Sequence, residues 1–99
     1  MTIMDNKNFK VGGQEVKVIE VENLDGKLGE CCLAAGWVKI ADKFKGESQS
    51  ESSKLNTLYH EMTHAILDTM GREDLSADEV FVSSFSSFLT EALISLTLN

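Results

Sequence analysis

The stretch Leu58-Tyr59-His60-Glu61-Met62-Thr63-His64-Ala65-Ile66-Leu67-Asp68 carries both histidines of the chain, four residues apart, with a glutamate directly after the first. On an α-helix, positions i and i+4 lie one turn apart on one face. His60 and His64 can therefore present two imidazoles to a single zinc ion at roughly 2.0–2.1 Å. Glu61 is rotated round the helix from His60, so its carboxylate can serve as general base toward a water on the ion without being a ligand itself.

The surroundings of the motif predict its helix. Leu55, Leu58, Met62, Ile66 and Met70 recur at three- and four-residue steps and Gly71 suits the residue after a helix end, so a helix is expected over about 51–70 with its start within Ser48 to Ser53. A second helix is expected over about 77–97. Ser76-Ala77-Asp78-Glu79 reads as a capping box, followed by an apolar stripe of Phe81, Phe85, Phe88, Leu89, Ala92 and Leu96. At 100° per residue Ser83 lies well round from Phe81, Phe85 and Phe88, near Val80, Ile94 and Leu98, which suits a helix with two buried faces, one against a sheet and one against the first helix.

Upstream, Val11, Val16, Val18, Ile19 and Val21 are β-formers and Gly12-Gly13 suits a tight hairpin. Consecutive Val18 and Ile19 predict a bulge or a strand buried on both faces. Asp25-Gly26 marks a turn, and the segments around Cys32 and Trp37-Val38-Lys39-Ile40 supply further strands. Residues 42–53 are polar and Ser-rich, a surface connection. The expected class is α+β in one domain, 1–99: a small N-terminal antiparallel sheet over about 9–41, the histidine-bearing helix, then a second packed helix.

The chain has 99 residues, 42% apolar, with a net charge of −7. Such a charge opposes phosphate backbones and anionic lipid, which are gripped by Lys/Arg clusters; nucleic acid and membrane are not expected as partners. The apolar stretches fall short of the ~20 residues that span a bilayer, and Met1–Lys10 is too polar for a signal peptide. Cytoplasmic residence is the expectation. Cys31 and Cys32 are adjacent, and neighbouring Cα atoms lie about 3.8 Å apart, too close for an ordinary disulfide. They are expected as reduced, small, buried side chains.

With these elements in order, the chain from about Val11 to its end resembles small gluzincin-like metallopeptidases, phage-encoded ones among them, and more distantly the ImmA/IrrE group. The resemblance implies a zincin-like minidomain, a bound Zn2+ and a peptide or protein substrate lying along one sheet edge, a mode whose physics is strand addition. It implies hydrolysis of peptide bonds, with Glu61 as base and His60 and His64 as metal ligands.

The same resemblance places a third ligand, a glutamate, about eighteen residues after the second histidine. That position is Ser83, or Ser84 if the alignment slips by one, and a hydroxyl is a weak zinc ligand beside a carboxylate. Glu79, one turn earlier, is a substitute already assigned to the capping box. Glu91 lies roughly 12 Å further along the helix axis; Asp74 and Asp78 suit the helix entrance. Asp68 is either an exposed carboxylate or an orienting partner for an imidazole. Trp37 and Tyr59 line a cleft or belong to the core. Ser83 and the chain's small size, which leaves no room for a substrate subdomain, motivate a second reading: a degenerate, weakly zinc-binding or inactive scaffold acting as a protein-interaction module.

Overall fold

The computed structural model describes residues 7–98; the first six residues of the polar N-terminal segment lie outside them. Two antiparallel hairpins lie side by side. Strands β1 (Asn8–Val11) and β2 (Gln14–Val21) pair around Gly12-Gly13, both at positive φ, the backbone that a type I′ turn requires. Strands β3 (Gly29–Cys32) and β4 (Trp37–Ala41) form the second hairpin.

The expected antiparallel sheet is in fact mixed. Strand β4 pairs with β2 in parallel, Lys17 opposite Trp37 through Val21 opposite Ala41, and the order is β1-β2-β4-β3. This register sets Val16 and Val18 on one face with Val38 and Ile40, the buried core cluster, so apolar matching selects it. The β2–β4 register runs through Val18 and Ile19 without a bulge. Val18 faces the core, while Ile19 and Trp37 line a recess on the opposite face. The polar connection after β4 contains a small hairpin of its own, β5 (Lys43–Phe44) and β6 (Glu47–Ser48).

Helix α1 (Glu51–Thr69) starts where Ser50 accepts the backbone N–H of Ser53. It ends in a Schellman turn: Gly71, at φ +77, donates to the Asp68 carbonyl and Arg72 donates to the Leu67 carbonyl. Lys54, 5% exposed, binds Glu20 of β2 at 3.0 Å and Asp42 at 2.9 Å, tying α1 to the sheet.

Two helices follow, where one was expected. A single turn, α2 (Glu73–Ser76), precedes α3 (Glu79–Leu98). Among the described residues helix α3 packs chiefly on α1 and, less extensively, on α2. Its buried positions are Val82, Ser86 and Thr90, small residues that let two helices approach closely. The aromatic stripe expected in the core instead stands in solvent, with Phe85 49%, Phe88 71% and Leu96 70% exposed. On α1 the same holds for Ile66 and Met70. By length and composition Glu79–Leu96 is also long and apolar enough to cross a membrane, contrary to the expectation that no stretch came near that length.

Candidate metal centre

Helical spacing turns His60 and His64 to one side of α1, their rings 5.1 Å apart. The short α2 folds the chain back so that the first residue of α3, Glu79, arrives opposite them. Its carboxylate oxygens lie 3.3 Å from Nε2 of His60 and 3.2 Å from Nε2 of His64. All three donors fall within 4.8 Å of one another.

These separations are longer than the ~2.9 Å of a good N–H···O bond. They match the edge of a tetrahedron whose corners lie about 2.0 Å from its centre, the bond length of zinc to nitrogen and carboxylate oxygen. Two imidazoles and a carboxylate are also a donor set of catalytic zinc sites. The residues present therefore fit the ion.

The carboxylate that lies with the two histidines is that of Glu79, while Ser83 is exposed on the same helix. The capping box, which had engaged Glu79, does not form. Asp78 caps α3 instead, its carboxylate accepting the N–H of Phe81 at 3.1 Å, which frees the Glu79 carboxylate. Ser76, the expected cap, sits at the end of α2 and its hydroxyl lies 2.9 Å from Nδ1 of His64. A hydroxyl can accept from Nδ1–H or donate to a bare Nδ1, so Ser76 partners His64 in either tautomer. It fixes the ring with Nε2 toward Glu79, the role outer partners play for metal-bound histidines.

Glu61 shares a recess with His60 and reaches toward the sheet edge. Gly29 of β3 runs so close that a Cβ there would stand 2.5 Å from Cγ2 of Thr57 and 3.3 Å from the Glu61 carboxylate. A recess of about 200 Å³ opens here, lined by Leu28, Gly29, Asn56, Thr57, His60 and Glu61. Burial holds the Glu61 carboxyl above its ordinary value, with Glu79 and Glu30 adding to the rise and His64 and Lys27 opposing it. Burial also depresses His60, with Glu79 opposing and His64 assisting. The Cys31 thiol, on the same face of the sheet, is pushed up to about 11 by burial and by the Glu61 and Asp68 carboxylates. It stays protonated, and neither cysteine forms a disulfide.

The remaining candidates stand apart. Asp68 is exposed, and the Nδ1 partner it was considered for is Ser76. Asp74 is paired with Arg72 on the surface, and Glu91 is exposed further along α3. Tyr59 lines an apolar groove between α1 and α3, and Trp37 lies on the opposite face of the sheet under the Lys39 ammonium, 4.3 Å from its ring. Two contributors had been missed. Ser76 was hidden by its own capping signature, and Gly29 by the lack of any local signal that a helix would pass so near.

Compared with family models, curated proteins and solved structures, the chain matches none. Fold and donor set together define a small α+β protein bearing a His-His-Glu group able to hold a metal ion.

Proposed function

We propose that this protein is a zinc-dependent peptidase. The observation that carries the reading is the convergence of His60, His64 and Glu79 on one point with Glu61 beside it in a recess against an edge strand. His60, His64 and Glu79 hold the ion. When bound, zinc supplies Lewis acidity: it polarises a carbonyl and lowers the pKa of water toward 7.

Glu61 takes the proton from the attacking water and returns it to the departing amine. Its raised pKa brings it nearer the neutral range in which proton transfer in both directions is efficient. Ser76 holds His64 in orientation. Strand β3 offers its unpaired edge to an extended peptide, which would add as a further strand beside Gly29–Cys32 and lead its backbone past Glu61. The two free thiols fit a reducing compartment such as the cytoplasm. A second reading, a degenerate scaffold acting as an interaction module, keeps the support of the chain's small size, while Glu79 beside both histidines weakens the support drawn from Ser83.

The test is zinc content and hydrolysis of an unfolded protein substrate by wild type and Glu61→Gln. The variant should keep its zinc and lose activity by about 10²- to 10⁴-fold. A wild-type chain that takes up no zinc, or a variant that cleaves as fast as wild type, would refute the proposal.

A further inference from the structure

Both helices carry apolar residues at helical spacing, and among the described residues these stand exposed. Ile66 and Met70 of α1, 43% and 64% exposed, line a groove with Phe85 of α3, 49% exposed, and Phe88 and Leu96, 71% and 70% exposed, continue the same side of α3 at helical spacing. This groove between the helices has a volume of about 270 Å³ and is walled by Tyr59, Met62, Phe81 and Leu89 among others. Periodic apolar spacing on two adjoining helices is the pattern of surfaces that are buried; neither the sheet nor α2 covers this one.

We infer that this face joins two copies of the chain about a two-fold axis, the Phe88 ring of each entering the groove of the other. Area supports a second copy. The exposed parts of those five residues amount to about 550 Å², at the upper end of what a monomer leaves open. With the groove walls the face approaches the ~800 Å² that each partner gives a standard interface. Shape supports it as well, since a projecting ring and an apolar recess on the same face are what a self-complementary contact needs.

Charge separates this occupant from others. None of the residues named on the face is charged, so two copies can meet there despite a net charge of −7 each. A helix lying on a membrane presents Lys and Arg around its apolar face, whereas the charged residues of α3 are Glu79 and Glu91. At 100° per residue Ile66 is about 160° round α1 from His64, so pairing leaves the metal centre open.

Sedimentation velocity on the full chain from micromolar to about 100 μM tests the inference. Wild type should sediment at twice its 10.9 kDa mass. Phe88→Asp should weaken association by at least about 100-fold, with far-UV circular dichroism unchanged. Met70→Lys, on the other helix of the face, should do the same, so the result does not rest on one variant's folding. Val80→Asp, at a residue 81% exposed on α3 but turned from the groove, should leave the dimer intact. Three results overturn the inference: a monomer at every concentration, equal dissociation by Val80→Asp, or a monomeric chain that floats with phosphatidylcholine vesicles.

Discussion

The hydroxyl of Ser76 stands 2.9 Å from Nδ1 of His64, joining the one-turn helix α2 to the middle of α1. Removing it leaves the ring free to turn and its nitrogen without a protein partner. Ser76→Ala should therefore lower zinc affinity roughly 10- to 100-fold, the usual effect of losing an outer partner of a metal-bound histidine. Competition with a chromogenic chelator measures this; affinity equal to wild type would show that Ser76 does not orient the ring.

Glu79 and Ser83 make opposite predictions about where the third donor lies. Glu79→Gln replaces a carboxylate oxygen with a neutral amide and should weaken zinc binding by more than Ser76→Ala does. Ser83→Glu adds a carboxylate one turn along and should change little. The same chelator competition on both variants decides between the positions, and tighter binding by Ser83→Glu would return the third ligand to that turn.

Lys54 is buried among carboxylates, and its neighbours divide in their response to pH. Burial opposes the charge on Lys54, but the hydrogen bonds it donates to Asp42 and Glu20 outweigh that and raise the ammonium to about 12 from an ordinary 10.5. Its contribution to stability is then fully present below pH 10.5 and fades as pH rises toward 12. Asp42 is held below its ordinary 3.8, first by its bond to Lys54, so its share is present above that pH and fades in acid. Lys54→Met should cost about 3–5 kcal/mol near neutrality by stranding these carboxylates. In urea titrations at several pH values, the gap between variant and wild type should narrow above pH 10.5; a constant gap would mean that the ammonium's charge is not the cause.

Close approach of β3 to α1 depends on a missing side chain. Gly29→Ala would put a methyl 2.5 Å from Cγ2 of Thr57 and should destabilise the fold by about 1–3 kcal/mol, as overpacking does. Thr57→Ser keeps the hydroxyl that bonds the Ser53 carbonyl and removes the methyl in the way. The double variant should recover most of the loss in thermal melts. Additive losses would locate the strain elsewhere, at Glu61 or in the backbone of β3.

Much of this architecture was legible residue by residue, and the failures have physical causes. Gly12-Gly13, Ser50 and Gly71 act through backbone angles and caps that depend on neighbours in sequence, so the first hairpin and both ends of α1 could be read locally. Pairing of β2 with β4 is non-local: it follows from which register brings Val16 and Val18 beside Val38 and Ile40, and alternation alone does not rank such pairings. The cap of α3 was ambiguous because Ser76 and Asp78 are both good N-caps two residues apart. Only the extra turn of α2, which takes up Ser76, decides for Asp78 and so releases Glu79. Phe85, Phe88 and Leu96 follow helical spacing yet stand exposed, since periodicity reports that a face is apolar and not what lies against it.

All three donors of the metal centre come from the continuous span His60–Glu79, while the core cluster that includes Val16 and Val38 closes contacts across far more of the chain. Closing a short loop costs little entropy, so an ion could clasp α1 to the start of α3 before the sheet has docked. Were an ion bound there, its capture would not require Glu61 to be placed against Gly29. A chain whose sheet had come away could then keep the ion and still lack the recess around Glu61.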